Sequence, residues 1–422
     1  MPKHVTIKQK IKPFTKVIKV PGDKSLSIRW ALLASQAIGK SKAYNLLRSE
    51  DVLNTLRGLK KLGVKIKLYK NYCEIFGVGI NGFKYKKNLT IDAGNSGTFG
   101  RLILALLIKS PFKIKLIGDK SLSSRDFSRV INPLKEFGAN FYPKNKSKLP
   151  FYIQGTNFIR PINYFEKKGS AQIKSCIMLA SLNAPGTTKI NAKKSRNHTE
   201  ILYKFLKLPI TVTKRKKIDL IEINGEKKIY PFNYSIPSDI SSSAFFIVLT
   251  LLSKKSHLVI KNVNINSSRT GCISILNRMG ANIIFKNKKK YNGEKTADIH
   301  IRSKNSFKAI NCPTKYNTSA IDEFLVIFLV AAKAKGISYF KDLEELNQKE
   351  SPRLKVGSKI LNMIGIKTKL TNSSIAIYGN PNLELTKSFE IKDYLKDHRV
   401  MALSTIAALT LGGKRWRIHN SD

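Results

Sequence analysis

One pattern of apolar and polar positions recurs along the chain. An amphipathic helical run ends in Leu-x-x-x-Gly or a relative of it, and is followed by a strand, a turn rich in Lys and Asn, and a second strand. The copies begin at Leu59, Leu134, Phe205, Leu276 and Leu361. The glycines that close these helices, or their equivalents, are Gly63, Gly138, Leu208, Gly280 and Gly365. Glycine at such a place adopts the left-handed conformation that ends a helix, so the pattern predicts a repeated unit of helix and hairpin.

A single unit of this kind cannot bury its own apolar surface, so several units must pack together. We expect two α/β domains of three units each, in which apolar helices form the core and the sheets face outward. The expected core helices are Leu53–Leu62, Gly100–Leu107, Ser175–Leu182, Ser243–Leu252 and Phe324–Ala334. Short crossings near Val20-Pro21 and Ile236-Pro237 would separate an inserted domain, residues 21–235, from a discontinuous one, residues 1–20 and 236–422.

The composition agrees with a two-domain intracellular enzyme. A chain of 422 residues with 42% hydrophobic content can bury a large core. The longest apolar stretches, Ala244–Leu252 and Phe324–Ala332, run about ten residues and are too short to span a bilayer, and the basic N-terminus has no apolar signal segment. The four cysteines are far apart and show neither CxxC spacing nor neighbouring histidines, which favours reduced, buried thiols over disulfides or a zinc site. We expect a cytoplasmic location.

The formal net charge of +50 makes a nucleic-acid partner the first alternative. The basic residues are spread along the whole chain, however, and no zinc-finger spacing, RNP-like aromatic motif or basic heptad region accompanies them. This distribution argues against specific nucleic-acid recognition and leaves weak, non-specific adhesion open. A positive field also suits small polyanionic substrates.

Two constellations carry candidate chemistry. The first, PGDKSLSIRWALLAS from Pro21 to Ser35, indicates a turn feeding a helix whose start offers N–H groups, an ammonium, a hydroxyl and a guanidinium to an anion. The second, DAGNSGTFGRLI from Asp92 to Ile103, is a turn of small residues before an apolar helix, which allows close backbone approach to a charged group. Taken singly, each is also compatible with an ordinary capped helix or tight turn.

Together the two segments resemble the 5-enolpyruvylshikimate-3-phosphate synthase family, and the resemblance extends over nearly the whole chain. That family carries Pro-Gly-(Asp)-Lys-Ser-x-(Ser/Thr)-x-Arg followed by Gly-Asn-(Ser/Ala)-Gly-Thr-x-x-Arg, and both are present here in that order. The motifs that follow in order are GDKSLSSR, GSAQIKSCIMLASL, SRNHTE, SDISSSAFF, AIDEF, ELNQKESPR and DHRVMA. The resemblance implies a two-domain, inside-out α/β fold with a monomeric chain, whose substrates bind in a cleft that closes.

The resemblance also assigns binding residues to two small-molecule substrates. It implies that shikimate 3-phosphate is bound by Lys24, Ser25, Arg29, Ser170, Ala171, Gln172, Ser195, Asp322 and Lys349. It implies that phosphoenolpyruvate is bound by Lys24, Gly97, Arg125, Gln172, Arg353 and Arg399. Guanidinium groups bind carboxylates and phosphates in a bidentate manner, and these arginines stand out in a chain that otherwise prefers Lys. Two alternatives stay open, a surface ion pair of Arg125 with Asp126 and a loop histidine at His398 with only local contacts.

The implied reaction moves the enolpyruvyl group of phosphoenolpyruvate to the 5-hydroxyl of shikimate 3-phosphate, in the chorismate branch of aromatic amino-acid biosynthesis. Asp322 is the expected base at that hydroxyl. Glu350 and Lys24 are the expected groups for proton delivery to and from the enolpyruvyl carbon. No metal or organic cofactor is expected, and the herbicide glyphosate is expected to compete with phosphoenolpyruvate.

Two rival functions share features with this sequence. The sister family that acts on UDP-N-acetylglucosamine shares the chemistry, but it carries Lys-Asn where this chain has Lys24-Ser25 and a cysteine in a mobile loop, for which this sequence offers no comparable motif. The other rival is a basic nucleic-acid-binding protein on a related scaffold.

Some positions depart from the family pattern. The family usually has Arg where Asn347 stands, Asp where Pro352 stands and Pro where Asp126 stands, so the loop geometry before Arg353 is an open question. Family members also continue past the segment KRWRIHNSD with a further strand. We therefore expect the 422-residue chain to bind shikimate 3-phosphate, but to bind phosphoenolpyruvate poorly and to be only marginally stable.

Overall fold

The computed structural model describes residues 4–392, 394 and 397–419, and strands and helices alternate along them. The strands are β1 His4–Ile7, β2 Thr15–Ile18, β3 Ile38–Tyr44, β4 Lys65–Leu68, β5 Tyr72–Val78, β6 Thr90–Asp92, β7 Ile114–Ile117, β8 Asn140–Tyr142, β9 Phe151–Gln154, β10 Asn163–Glu166, β11 Thr187–Lys193, β12 Ile210–Lys214, β13 Ile218–Asn224, β14 Asn233–Ser235, β15 His257–Asn264, β16 Ile283–Tyr291, β17 Glu294–Arg302, β18 Phe307–Lys308, β19 Ala334–Phe340, β20 Thr368–Leu370, β21 Ile375–Gly379, β22 Ser388–Ile391 and β23 Arg415–His419.

The helices include several that are apolar on all sides and several that are amphipathic. They are α1 Lys24–Gln36, α2 Glu50–Lys61, α3 Gly97–Ile103, α4 Lys120–Ser123, α5 Ser128–Glu136, α6 Ala171–Ser181, α7 His198–Phe205, α8 Ile240–Leu252, α9 Gly271–Arg278, α10 Asn317–Ala320, α11 Phe324–Ala332, α12 Arg353–Met363 and α13 His398–Leu411. Among the residues that the structure describes, none of these helices has both the length and the apolar character needed to cross a bilayer.

The chain separates into two compact units. The described residues among 21–237 and 290–294 form one, which we call the N-terminal unit, and those among 1–20, 238–289 and 295–422 form the other, the C-terminal unit. Residues 290–294 are the tip of the β16–β17 hairpin, where Glu294 lies 2.6 Å from the Nδ1 atom of buried His198 within the N-terminal unit. The chain thus passes between the units at this tip as well as near positions 20 and 237.

In the described part of the chain each unit has three sheets, and five of the six have four strands. In the N-terminal unit the strand orders are β14-β3-β5-β4, β6-β7-β9-β8 and β10-β11-β13-β12, and in the C-terminal unit they are β16-β17-β15-β2, β18-β19-β21-β20 and β1-β23-β22. In the sheets of the N-terminal unit, a parallel edge strand precedes two antiparallel pairings, as in β14 with β3, β3 with β5 and β5 with β4. The N-terminal strands β1 and β2 pair with β23 and β15 in the C-terminal unit.

The helices between the sheets form the cores. All nine residues of α11 are buried, and α6 is buried from Ile173 to Ser181. The sheets instead bury one face only: Ser41 and Ala43 of β3 point inward while Lys40 and Tyr44 are exposed. Because the helices occupy the centre and the sheets the outside, the predicted inside-out α/β fold is confirmed.

The residues that end the repeated helices have the predicted backbone conformation, with one correction. Gly63, Gly138, Gly280 and Gly365 have φ values of 86°, 110°, 97° and 84°. The third repeat has no glycine, and we expected Leu208 at the equivalent place. The left-handed residue is instead Lys207, with φ 55°.

Candidate active site

Most of the motifs that the sequence singled out lie at the first turn of a core helix, where a capping side chain fixes the backbone. Asp23 accepts from the backbone N–H of Leu26 at 2.9 Å at the start of α1, and Ser96 accepts from that of Phe99 at 3.2 Å at the start of α3. Ser170 begins α6 and Asp397 begins α13 in the same way. Helix starts present N–H groups and the positive end of the helix dipole, so both units have places suited to anionic substrates.

Lys24 is the first residue of α1 in the N-terminal unit. Its Nζ lies 3.2 Å from Oδ2 of Asp51 on α2, and both side chains are about a quarter exposed. Asp51 was not among the sequence-predicted site residues. It holds the Lys24 ammonium in place at the surface, while Ser25 follows at the next position of the same turn.

Arg29, one turn further along α1, is buried within the N-terminal unit. Its Nε donates to Oγ1 of Thr199 at 2.8 Å and its Nη2 donates to Oγ of Ser175 at 2.9 Å. The two hydroxyls are themselves 2.7 Å apart, and Nη1 donates to the carbonyl of Ser25 at 3.1 Å. The edge of the guanidinium formed by Nε and Nη2 is therefore fixed by a pair of hydroxyls that sequence reasoning missed.

Gln172 on α6 and Arg101 on α3 are joined in a second network. Arg101 Nη1 donates to Oε1 of Gln172 at 2.8 Å, and Gln172 Nε2 donates to Oγ1 of Thr98 at 3.1 Å. Gly97 lies beside this network: a Cβ built on it would be 2.9 Å from Arg101 Nη1 and 3.1 Å from Arg125 Nη1. Because glycine has no side chain, both guanidinium groups fit beside position 97.

Arg125 is held from two sides. Its Nη2 donates to Oδ1 of Asn95 at 2.9 Å and to Oγ of Ser121 at 3.1 Å. Asn95 in turn donates to Asp119 at 2.8 Å. Asp126 bonds the backbone N–H of Ser128 at 3.0 Å as well as its hydroxyl. Burial tends to raise the pKa of Asp126, but these bonds to Ser128 outweigh it and lower the pKa below its usual value.

The remaining predicted residues of the N-terminal unit lie near the starts of α6 and α7. Ser170 caps α6, and Ala171 is the first residue of that helix. The Oγ atom of Ser195 is buried and has no hydrogen-bond partner among the described residues. A buried hydroxyl without a partner is costly, and a bound polar ligand would satisfy it.

Arg353 is the centre of the predicted residues in the C-terminal unit. The guanidinium is buried, its Nε donates to Oδ2 of Asp397 at 2.9 Å, and Nη2 bonds the carboxylate of Glu350. Its Nη1 lies 3.4 Å from Oδ1 of Asp322, which is also 3.8 Å from the Nζ of Lys349. The structure therefore brings four predicted residues of this unit into one cluster.

The electrostatics of this cluster keep Arg353 charged. Burial lowers the pKa of Arg353, but the carboxylates of Glu350, Asp397 and Asp322 outweigh burial, so the pKa is raised above its ordinary value. Pro352, one of the departures from the family pattern, has φ −71° and directly precedes α12, where Arg353 is the first residue. Proline is well suited to the entry of a helix, so this departure leaves Arg353 in the cluster.

Arg399 lies one residue beyond the start of α13. Its backbone N–H donates to Oδ1 of Asp397 at 2.9 Å, so the buried Asp397 carboxylate contacts both Arg353 and Arg399. The Arg399 guanidinium lies 5.0 Å from the ring centroid of Phe245, and its Nη1 donates to the carbonyl of Ser241 at 3.3 Å. Its Nε is buried without a hydrogen-bond partner among the described residues. His398, the first residue of α13, is exposed.

Several of these site residues were absent from the predicted set, among them Asp51, Arg101, Ser175, Thr199 and Asp397. A signal for Arg101 was present, since it is four residues after Gly97 on one helix face. Asp397 stands in the DHRVMA motif beside the predicted Arg399. Among the described residues, no three side chains of His, Cys, Asp or Glu are grouped as metal ligands would be.

Comparisons with known proteins agree with these motifs. Residues 8–421 match the family model described as EPSP synthase (3-phosphoshikimate 1-carboxyvinyltransferase). The chain is 41% identical over 394 residues to the 3-phosphoshikimate 1-carboxyvinyltransferase of Ruthia magnifica subsp. Calyptogena magnifica, covering 93% of this chain and 88% of that one. It is 34% identical to the enzyme of that name from Zymomonas mobilis, covering 96% and 90%. The solved EPSP synthase of Acinetobacter baumannii is similar with a TM-score of 0.85 at 34% identity, covering 99% of this chain and 94% of that one.

Proposed function

The chain belongs to the EPSP synthase family, and from that premise we propose how its own residues carry out the reaction. It is a 3-phosphoshikimate 1-carboxyvinyltransferase, which transfers the enolpyruvyl group of phosphoenolpyruvate to the 5-hydroxyl of shikimate 3-phosphate and releases phosphate. Both substrates are small polyanions. The cation-rich helix starts described above are suited to such substrates.

The chemistry needs an acid and a base among cations. The hydroxyl oxygen of shikimate 3-phosphate attacks C2 of phosphoenolpyruvate and loses its proton, while C3 gains a proton, which gives a tetrahedral intermediate. Loss of phosphate from C2 and of a proton from C3 then forms the enolpyruvyl ether. Each proton transfer calls for a positioned side chain, and each anionic stage calls for fixed positive groups.

In the N-terminal unit, Lys24, Ser25 and Arg29 would bind shikimate 3-phosphate from the first turns of α1. Ser170, Ala171 and Gln172 would do so from the start of α6, together with Ser195. The buried, unpartnered Oγ of Ser195 supports this assignment, because a substrate hydroxyl or phosphate oxygen would satisfy it.

Phosphoenolpyruvate would be bound by arginines that are already fixed in place. Arg125 is oriented by Asn95 and Ser121, and the backbone at Gly97 lies beside it. In the C-terminal unit, Asp397 orients Arg353 through its Nε and fixes the backbone of Arg399. A fixed guanidinium binds a carboxylate or phosphate with little loss of side-chain entropy. Lys24 and Gln172 complete the proposed set.

Asp322 is the proposed base at the 5-hydroxyl, and Glu350 and Lys24 are the proposed groups for proton transfer at C3. The observation that carries these roles is the cluster in the C-terminal unit, where Arg353 Nη1 and Lys349 Nζ lie 3.4 Å and 3.8 Å from Asp322. The base, one proton-transfer candidate and two cations are within reach of one another there. Asp322 and Lys349 would also bind shikimate 3-phosphate.

The replacement of Asp322 by Asn tests the base directly. Asp322→Asn keeps the shape of the side chain but removes the proton acceptor, so we expect turnover to fall by about 10²- to 10⁴-fold. The dissociation constant for shikimate 3-phosphate, measured by calorimetry, should stay within a few-fold of wild type. An unchanged turnover number would show that Asp322 is not the base. Asp342→Asn, an exposed aspartate of the same unit, is the matched control and should leave both quantities unchanged.

We also propose that the enzyme works in the cytoplasm as a monomer. Its substrates are phosphorylated and do not cross membranes unaided, and its four cysteines are free and buried. Sedimentation equilibrium and cell fractionation test these two points.

A further inference from the structure

The outer face of one sheet in the N-terminal unit combines aromatic rings with lysines. On β3, Ser41 and Ala43 are buried, so Lys40, Lys42 and Tyr44 point away from the core. On β5, Tyr72, Glu74 and Phe76 alternate with the core residues Cys73 and Ile75 and pair with Tyr44, Lys42 and Lys40, so they lie on the same outer face, where neighbouring side chains cover Glu74 to 7% exposure. The antiparallel register places these side chains in rows across the strands.

The three rows differ in the side chains that they carry. Tyr44 pairs with Tyr72 in the first row, and the ring of Tyr69, just after β4, stacks on that of Tyr72 at 4.5 Å between centroids. Lys42, Glu74 and Lys67 form the second row. Lys40, Phe76 and Lys65 form the third. We call these three rows the tyrosine face.

The lysines of the tyrosine face lie over its rings. The Nζ of Lys42 is 4.0 Å from the centroid of Tyr72, and that of Lys65 is 5.4 Å from the centroid of Phe76. The carboxylate of Glu74 offsets one of the four lysine charges, and it lies 3.7 Å from Lys40 and 3.9 Å from Lys42. The face as a whole therefore carries excess positive charge beside aromatic surface.

The position of Tyr69 is fixed by its backbone. Arg48 donates from Nη2 to the carbonyl of Tyr69 and, at 2.7 Å, to that of Lys70. Tyr44 and Tyr69 remain 43% and 38% exposed, so rings are available at the surface. Tyr72 and Phe76 are four residues apart on one strand, which separates the two aromatic rows by about 13 Å. Lys42 and Lys67 of the second row lie between these two aromatic rows.

We propose that the tyrosine face binds single-stranded nucleic acid without sequence preference. Exposed aromatic rings stack on unpaired bases of any sequence, and the neighbouring lysines neutralise phosphates. Four-stranded sheets with outward aromatic side chains are a known platform for unpaired bases. A duplex would hide its bases from these rings. A lipid surface would take apolar side chains into its interior, whereas Tyr72 and Phe76 lie beneath ammonium groups and the exposed rings, Tyr44 and Tyr69, carry polar hydroxyls.

The experiment measures fluorescence anisotropy of labelled oligo(U) and oligo(dT) with the full-length enzyme between about 50 and 200 mM salt. The face variant carries Gln at Lys40, Lys42, Lys65 and Lys67. The matched control carries Gln at Lys286, Lys288, Lys289 and Lys290, which removes the same charge from the exposed strand β16 beside the exposed Tyr291. A third variant combines Tyr44→Leu and Tyr69→Leu. Phosphate release by the enzyme reports that each variant is folded.

We expect the face variant to lose at least about tenfold more affinity than the control, with a shallower salt dependence. The tyrosine variant should lose about tenfold in affinity with the salt slope unchanged, because stacking releases no counterions. A duplex of equal length should bind more weakly than the single strands.

Several results would overturn the proposal. Equal losses in the face variant and its control would assign binding to the charge of the whole chain. If the tyrosine variant binds as well as wild type, or a duplex binds as well as the single strands, base stacking on the tyrosine rings does not contribute to binding. If the face variant loses binding to vesicles of phosphatidylserine and phosphatidylcholine but keeps its affinity for the oligonucleotides, the face binds membranes instead.

Discussion

At the scale of single residues, Arg29 shows how buried hydroxyls orient a guanidinium that we propose as a ligand of shikimate 3-phosphate. Thr199 and Ser175 accept from two of its nitrogens, which leaves little rotational freedom to lose when shikimate 3-phosphate binds. The two hydroxyls contact the guanidinium of Arg29 and each other. Their role is therefore to position Arg29.

Removing one of these hydroxyls should affect one substrate only. Thr199→Val should raise the KM for shikimate 3-phosphate by about tenfold, since a hydrogen bond to a charged group is lost. The turnover number and the KM for phosphoenolpyruvate should stay near wild type, and Thr199→Ser should restore the first KM. If Arg29→Ala weakens shikimate 3-phosphate but Thr199→Val does not, the hydroxyl pair has no positioning role.

Gly97 is a second residue whose effect depends on its neighbours. A methyl group there would press on the guanidinium groups of Arg101 and Arg125, at 2.9 Å and 3.1 Å. Gly97→Ala should therefore raise both the KM for phosphoenolpyruvate and the inhibition constant of glyphosate, and leave shikimate 3-phosphate binding unchanged. Steady-state kinetics with each ligand varied in turn checks this. Full glyphosate sensitivity in the variant would mean that the inhibitor does not approach Gly97.

Which site residues the sequence could predict depends on how far apart the partners are. Arg353 and Glu350 stand in one motif and meet as neighbours on one turn. The partners of Arg29 lie 170 and 146 positions away, and only the folded chain brings them together. Thr199 lies within the SRNHTE motif, but its hydroxyl gains a role only through this long-range contact.

At the scale of elements, four of the five expected core helices begin three or four residues earlier than the sequence predicted. We expected helices from Leu53, Ser175 and Ser243, and they begin at Glu50, Ala171 and Ile240. Apolar periodicity starts only after the first turn, because that turn carries the polar residues that cap the helix or that we propose as substrate ligands. The boundaries were therefore least predictable at the places where the candidate chemistry lies.

The helix ends allow a matched stability test. Gly365 has φ 84° and open space around its Cα, so Gly365→Ala should cost about 1 kcal/mol through backbone strain alone. Lys207 has φ 55°, so Lys207→Gly should be neutral or slightly stabilising. Urea unfolding of the two variants measures both effects. A loss of stability in both would show that backbone conformation does not govern these helix ends.

At the scale of the whole molecule, the cysteines report on how completely the two cores exclude water. Burial raises the pKa of Cys73 to about 12 and that of Cys312 to about 11, and it raises those of Cys176 and Cys272 well above their ordinary value. The thiolate is the reactive form, and the pKa values keep these groups protonated at pH 8.

We therefore expect the folded enzyme to react with a disulfide reagent such as DTNB at pH 8 only at the rate of unfolding. All four thiols should react at once in denaturant. A thiol that reacts rapidly in the folded enzyme would contradict the packing described here. It would also favour the activity of the sister family, which acts on UDP-N-acetylglucosamine and carries a cysteine in a mobile loop.

The central claim is that this chain, with its two sets of anion-binding residues, transfers the enolpyruvyl group to shikimate 3-phosphate. The most direct test is phosphate release from phosphoenolpyruvate by the purified 422-residue chain, with shikimate 3-phosphate or UDP-N-acetylglucosamine as acceptor. We expect release with shikimate 3-phosphate that Asp322→Asn lowers by about 10²- to 10⁴-fold, and none above background with the nucleotide sugar. Release with the nucleotide sugar alone, or with neither acceptor, would contradict it.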